Sequence, residues 1–361
     1  RPPRSTLFPY TTLSDLLRTK SILGANMKII KITFLLIAIL FVVFAQKSLD
    51  PYTVSILNNI AIFAILGLSY NLINGVTGQF SLEPNGFVAI GAYVTSLLLL
   101  PAATKIDMFA LEDPAPIILA LNSNFFVALL ASGVVAAILA FILSIPVFRV
   151  RGDYLAIVTL GFGFIIRIFA MNSPRYTNGA MGLNDIPDVA NLYWTGFIAI
   201  VTFVIMLNII YSKYGRAMKA VRDDEDAAIA MGINTFWIKT YAFMTSAFFE
   251  GVGGGLMASL LTTISPDQFT FLLTFQLLII IVLGGLGSMS GTIIGAVLVM
   301  GGTEWLRFLD QNMDIFGYNT GAHPGLRMVV FSVLLIIMML FARRGLFGNK
   351  ELTDFFRRRN R

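Results

Sequence analysis

The residues with the most chemistry to offer form one island. Lys213, Arg216, Lys219 and Arg222 precede Asp223, Asp224, Glu225 and Asp226, and the stretch closes with Ala227-Ala228-Ile229-Ala230-Met231-Gly232. Elsewhere, reactive side chains are sparse. The chain has no cysteine and one histidine, His323. That excludes disulfides and thiolate metal sites, and it leaves no imidazole cluster for a metal centre. A membrane enzyme would need a Cys–His pair or a Ser–His–Asp set, and neither is evident. No catalytic residue and no metal ligand is assigned. The run "GGLGSMSGT" (284–292) is rich in glycine but has no lysine to reach a phosphate. No Gly-Lys-Ser or Gly-Lys-Thr occurs, so the chain carries no P-loop.

A few charges lie inside apolar sequence. Glu250 in "AFFEGVGGGL" is the clearest. A charge at the bilayer centre costs about 2.5–3.5 kcal/mol on insertion scales. Glu250 reads either as lining a translocation route or pairing with a neighbouring subunit, or as a buried, hydrogen-bonded carboxyl. Arg167, Glu304 and Arg307 sit nearer the ends of apolar runs, where snorkelling lowers the cost. Asp153 follows Arg151 and reads as a local pair. His323, beside Pro324, reads as a surface residue.

These residues need a membrane scaffold to position them. Of 361 residues, 57% are hydrophobic and 13% charged, where soluble domains carry about 25% charged. Mean hydropathy is +0.79. Apolar runs fall at 29–45, 52–73, 86–103, 125–147, 153–171, 193–211, 237–261, 270–287, 289–309 and 326–342. Each is near the roughly 20 residues that a bilayer core demands. The expected fold is all-α and polytopic, with about 8–10 membrane helices. Lys28, Lys31, Arg149, Arg151, the four basic residues of the island and those from Arg343 onward share one side, whereas Lys47, Lys105 and Arg175 occupy the other. This asymmetry places the island and both termini in the cytoplasm. Basic residues cluster at span ends rather than on a soluble face, so nucleic acid is not an expected partner. Residues 27–345 read as one transmembrane domain containing the charged loop 212–236. Residues 1–26 read as a non-native or disordered extension, and 346–361 as a basic cytoplasmic tail.

Within the loop, Asp223 or Asp224 can cap a short helix and Gly232 can end it. Ala228 and Gly232 share one side, where small residues would let another protein approach, while Ile229 and Met231 can insert. Two further segments, "NGVTGQFSLEPNG" (74–86) and "LGGLGSMSG" (283–291), break apolar sequence with glycine and polar residues. Paired interruptions suggest an internal repeat with a site near the midplane. Asn71, Gln79, Ser81, Glu83, Glu250, Gly284, Gly285 and Gly287 are the candidate residues of that path. Tight helix packing at the glycines is the competing reading.

The acid–Ala–Ala…Gly order at Asp226–Gly232 resembles the cytoplasmic "EAA" loop of ABC importer permeases, with Asp in place of Glu. The wider sequence is similar to branched-chain amino-acid ABC importer permeases of the LivM type. The similarity runs through "NLINGVTGQFSL" (71–82), "VRGDYLAIVTLGFGFIIR" (150–167), "YGRAMKAVRDDEDAAIAMGIN" (214–234) and "ISPDQFTFLLTFQLLIIIVLGGLGSMSGTIIGAVL" (264–298). The resemblance implies that the loop, including Gly215, Arg216, Arg222, Asp223, Asp224, Glu225, Asp226, Ala227, Ala228 and Gly232, couples to an ATPase. It implies two ATP-binding cassette subunits holding ATP and Mg, a second homologous permease, an external solute-binding protein and a bacterial inner membrane. It implies leucine, isoleucine and valine as cargo. Urea, amide or other amino-acid importers share the scaffold, and an ion-coupled secondary transporter is the alternative from another class. Two departures stand out. Many relatives read "SLGHAAF" where this chain has Ser81-Leu82-Glu83-Pro84-Asn85-Gly86-Phe87, and many carry a small residue where this chain has Glu250.

Overall fold

The computed structural model of the chain describes residues 36–109, 112–150, 152–310, 313–315, 318–320, 325–342, 345–348 and 351. The 1–26 extension, Arg151, His323, the Asp153 side chain and most of the basic tail lie outside what is described. Two units are distinguished. Residues 1–49 contribute one described apolar helix, α1 (Leu36–Ser48). Residues 50–361 hold everything else.

In the second unit, Asp50 caps α2 (Pro51–Asn71) by accepting from the Thr53 amide at 3.1 Å. Pro51 fills a first-turn position whose N–H would have no partner in any case. The Thr53 hydroxyl and amide together hold the Asp50 carboxyl below its usual pKa. α2 runs on into a π-helical turn at Leu72–Val76. An irregular segment then leads to α3 (Pro84–Leu99), which bends by 117° into α4 (Ala102–Met108). α5 (Pro116–Ala120), α6 (Phe125–Val147), α7 (Asp153–Met171), α8 (Pro174–Thr177) and α9 (Leu192–Tyr211) follow. Next come α10 (Lys213–Asp223), α11 (Glu225–Ala230), α12 (Thr235–Leu261) and α13 (Phe271–Gly284). α14 (Met289–Ala296) passes through a π turn at Val297–Gly301 into α15 (Gly302–Trp305). A small antiparallel pair, β1 (Met313–Ile315) and β2 (Tyr318–Thr320), precedes α16 (Leu326–Phe341).

This is the expected all-α membrane architecture. Among the described residues, 5 helices are long and apolar enough to cross a bilayer alone, or up to 6 with the bent α3–α4 pair. Where described, the other expected spans are helical but less regular. The span expected at 86–103 ends at Leu99, because Pro101 cannot continue the helix. α12 has 27 residues, and Lys239, Glu250 and its run of glycines lower its hydropathy. α14 is interrupted by its π turn, and α16 has 16 residues.

The glycines of α12 explain its central position. A Cβ on Gly254 would lie 2.1 Å from the Val88 carbonyl oxygen, and one on Gly91 would lie 2.0 Å from the Gly251 oxygen. α3 and α12 therefore meet backbone to backbone, as small residues permit in membranes. α2 packs against α12 through Ser69 and Ser246, and against α14 through Gly67 and Thr292.

Candidate functional site

The charged island is built as two short helices with a sharp break. Ser212 caps α10, accepting from Tyr214 and Gly215 amides at 3.1 and 3.4 Å. Gly215 permits the tight turn from α9, since a Cβ there would sit 2.3 Å from the Ile210 oxygen. Asp224 takes an extended conformation and ends α10. It also caps α11 by accepting from the Ala227 amide at 3.0 Å, so of the two candidate caps Asp224 is the one used. At the other end, the Gly232 amide donates to Ile229 O at 2.9 Å and the Ile233 amide to Ala228 O at 3.0 Å. With Gly232 at φ +82°, this is a Schellman stop.

The exposed face of α11 differs from expectation. Ala228 is buried against the chain itself, whereas Ala227, Ile229, Ala230 and Met231 are open to solvent. Met231 is 82% exposed. The smooth surface therefore belongs to Ala227 and Ala230, with Ile229 and Met231 beside it. Arg216 bonds back to Tyr211 O at 3.4 Å, and Asp226 is exposed.

Two links tie the island to the bundle. Glu225 on α11 accepts from Lys239 Nζ of α12 through both oxygens, each at 2.7 Å. The Lys239 side chain is 5% exposed. Sequence reasoning missed this lysine because it sits within an apolar pattern. Its only signal was one cation beside the helix start. The second link is Arg222. It forks onto Asp223 at 3.0 and 3.1 Å and donates to Gly75 O at 3.2 Å.

Gly75 belongs to the first interrupted segment, and the structure brings the second one to it. Asn71 Oδ1 accepts from the Gly287 amide at 2.9 Å. Asn71 Nδ2 donates to Ser288 O at 3.0 Å and to Thr292 Oγ1 at 2.7 Å. A Cβ on Gly75 would lie 2.2 Å from Gly287 N. The two interruptions therefore meet, but beside the charged island rather than midway along the helices. Gly284 packs on Gly291 to close the α13–α14 hairpin, while Gly285 and Gly287 turn the chain at φ +119° and +86°. Part of the tail adds a strap here. Leu346 and Phe347 amides donate to Leu283 and Gly284 oxygens at 2.9 and 3.1 Å. Glu351 is buried, accepting from the Met289 and Ser290 amides at 2.7 and 3.1 Å and from the Ser290 hydroxyl. Asn71, Gly284, Gly285 and Gly287 are thus parts of a brace. Glu351 was hidden in a tail that reads as basic.

The remaining path candidates lie further along. Gln79 is half-buried, and its amide donates to Ile73 O at 3.0 Å. Ser81 is anchored through its backbone. Its carbonyl accepts from Tyr70 Oη at 2.8 Å and its amide donates to Asn74 Oδ1 at 2.8 Å. Its buried hydroxyl has no partner. Glu83 is 0% exposed, and neither of its carboxyl oxygens has a hydrogen-bond partner. Glu250 is also 0% exposed; its Oε1 lies 3.0 Å from Ser246 Oγ and its Oε2 has no partner. The Ser246 hydroxyl beside Glu250 also lies 2.7 Å from Ser69 O, and the next residue, Tyr70, donates to Ser81 O. Glu83 precedes the first turn of α3 and Glu250 lies within α12, and these two helices pack backbone to backbone. Asn85, close by, is satisfied by Phe269 O and Thr274.

Comparison with known proteins identifies this framework. Residues 52–339 match the family described as "Branched-chain amino acid transport system / permease component". The chain belongs to this permease family. It is 32% identical over 328 residues to the high-affinity branched-chain amino acid transport system permease protein LivM of Escherichia coli strain K12, covering 81% of this chain and 69% of that protein. The LivM protein of Salmonella typhimurium is also 32% identical, over 79% of this chain and 67% of its own length. LivH of Salmonella typhimurium is 24% identical, over 86% of this chain and 98% of its own length. No solved structure gives a significant match. Among the described residues no group of three or more metal-ligating side chains occurs.

Proposed function

We propose that this chain is the membrane-spanning permease subunit of an ATP-driven importer of leucine, isoleucine and valine. Its relatives are named for branched-chain amino acid transport. ATP, with Mg, is hydrolysed on two separate cassette subunits. A second homologous permease completes the pore, and an external solute-binding protein delivers cargo. The assembly sits in a bacterial inner membrane, with both termini and the island cytoplasmic. Residues 27–345 form the permease domain, 212–236 its coupling loop and 346–361 a cytoplasmic tail.

The observation that carries this reading is α11. It is a six-residue helix capped at both ends, with an exposed Ala/Ile/Met surface. A helix this short does not persist alone. Asp224, Gly232 and the Glu225–Lys239 clip hold it in place, which suits a surface that transmits force. Closure of the ATPase pair would push α11. Glu225–Lys239 would pass the displacement to α12, which carries Glu250, and Arg222 would pass it to the brace at Gly75 and Gly287. The path itself is assigned to Gln79, Ser81, Glu83 and Glu250.

The deciding experiment is leucine uptake into vesicles holding the chain with its ATPase subunits, sister permease and binding protein. Uptake should require ATP and survive an ionophore. Uptake that collapses with the ionophore and ignores ATP depletion would assign an ion-coupled transporter instead. ATPase stimulation by urea or an amide, and not by leucine, would move the cargo to the other importer class. A cysteine at Met231 should cross-link to the ATPase, whereas one at buried Ala228 should not.

A further inference from the structure

We propose that the carboxy-terminal residues 345–348 and 351 are a positioning strap for energy coupling, stiffening the turn between α13 and α14 on which the coupling loop bears. This inference rests on the importer reading and adds an element to it. The turn, Gly285-Leu286-Gly287-Ser288, holds both of its glycines at positive φ. Glycine has the widest backbone freedom of any residue, so such a turn yields under load. Load reaches it from the island. Arg222 lies along the first interrupted segment: a Cβ on Gly78 would come 2.3 Å from Arg222 Cγ, and Arg222 Nη1 donates to Gly75 O at 3.2 Å. A Cβ on Gly287 would sit 3.2 Å from that same oxygen and 3.4 Å from Arg222 Nη1. A push on α10 therefore arrives at the turn.

The tail spans the turn from one helix to the other. Its first part joins the end of α13, where the Leu346 and Phe347 amides donate to Leu283 and Gly284 oxygens at 2.9 and 3.1 Å. Its last described residue joins the start of α14, where Glu351 accepts from the Met289 and Ser290 amides at 2.7 and 3.1 Å and from the Ser290 hydroxyl. Between them the two chains touch through backbone alone. A Cβ on Gly345 would lie 2.6 Å from Gly285 Cα, and one on Gly285 would lie 2.6 Å from Gly348 O. Glu351 is only 6% exposed. A tail that served as a basic topology signal would stay solvated. This one buries a carboxylate, and the three donors offset its lost hydration. A hydrogen-bonded network of this kind rigidifies what it joins. With the strap seated, displacement of Arg222 moves α13 and α14 as a unit. With it released, the glycine turn bends instead, and ATP is hydrolysed with less solute moved.

The test uses the complete importer in vesicles and reads leucine imported per ATP hydrolysed. Gly345→Val cannot seat the strap, because its Cβ meets Gly285 Cα. It should keep ATP hydrolysis and lower that ratio severalfold. A chain ending at Arg344 should behave alike, and a peptide of residues 345–361 enclosed in the vesicles should restore the ratio. E351Q, a milder change, should speed hydrogen exchange at the Leu346 and Phe347 amides about fivefold, the scale of one helix cap. An unchanged ratio in both Gly345→Val and the shortened chain overturns the proposal. Hydrolysis and uptake that fall together, with the ratio kept, give the strap a purely structural role and overturn it. An equal loss when Arg357, Arg358, Arg359 and Arg361 become Gln in the full chain assigns the effect to the charge of the tail and overturns it. A wild-type complex that hydrolyses ATP but imports no leucine removes the importer reading alone. The strap is then judged by exchange at the Gly287 amide, which nucleotide should accelerate in the shortened chain and leave slow in the wild type; an equal response in the two overturns it.

Discussion

Two regions of this protein bury polar side chains, and they do so in opposite ways. At the island end of the bundle, Asn71 spends its carbonyl and amide on Gly287, Ser288 and Thr292, and Glu351 spends both oxygens on Met289 and Ser290. Around Glu83 and Glu250 three carboxyl oxygens are left over. A satisfied network rigidifies its surroundings, whereas an unsatisfied one destabilises the fold it sits in. The difference separates a brace from a site. The brace joins two chain segments and the coupling loop, and the acids join nothing. Substitutions should therefore differ in sign between the two regions.

The largest effect is expected where a paired charge loses its partner. Lys239→Met removes the α12 partner of the partly buried Glu225, while Glu225→Gln leaves the Lys239 ammonium buried without this counter-charge. Breaking a buried pair costs about 3–5 kcal/mol. Glu225→Gln should be the worse of the two, because Lys239 is the more deeply buried partner. Denaturation of the purified complex measures both. If either variant unfolds like the wild type, the clip between α11 and α12 is not a firm connection.

Asn71→Leu comes next. It removes three hydrogen bonds and leaves the part-buried Gly287 amide without this acceptor, for about 1–3 kcal/mol. Stability should fall, and the 74–79 and 284–288 segments should exchange backbone hydrogen faster. Unchanged exchange at Gly287 would show that the two interruptions are held together by packing alone.

The opposite sign belongs to the acids. Replacing buried ionic groups by apolar residues of similar volume is often neutral or stabilising, by about 1–4 kcal/mol. Glu250→Met should raise the unfolding midpoint of the complex while abolishing leucine uptake. That trade is expected where a residue is kept for function rather than for stability. A Glu250→Met variant that is less stable than the wild type would place Glu250 with Asn71, as a structural residue.

Much of this arrangement could be read in the sequence, and its gaps have physical reasons. The membrane class follows from apolar runs, and the ends of α11 from the Asp223–Asp224 pair and Gly232, because both signals are local. The face of α11 was misjudged at Ala228. Which side of a six-residue helix is buried depends on α10 and α12, not on its own pattern. Lys239 pairs with Glu225 across a turn that no helical period spans. The contact of Asn71 with Gly287 joins residues 216 apart, and only a folded bundle reveals it. Glu83 and Glu250 each stand out as costly or out of pattern, but that both are fully buried with unpartnered oxygens only the folded bundle reveals.

The smallest effect is expected at Glu351, and it tests whether the tail belongs to the brace. Its carboxyl caps α14 by accepting two backbone amides and the Ser290 hydroxyl. A carboxylate at a helix N-terminus also complements the helix dipole. Glu351→Gln keeps the shape and removes the charge, and it should cost about 1 kcal/mol, the typical value of a helix cap. Glu351→Ala should cost somewhat more, since the Ser290 and Met289 amides then lose their acceptor in a buried place. The readout is the unfolding midpoint together with hydrogen exchange at Met289 and Ser290, which should speed up in both variants. If exchange there is unchanged in Glu351→Ala, the Leu346–Phe347 strap alone holds the turn. The brace would then end at Ser288, and the tail would be a bystander to the contact between the two interrupted segments.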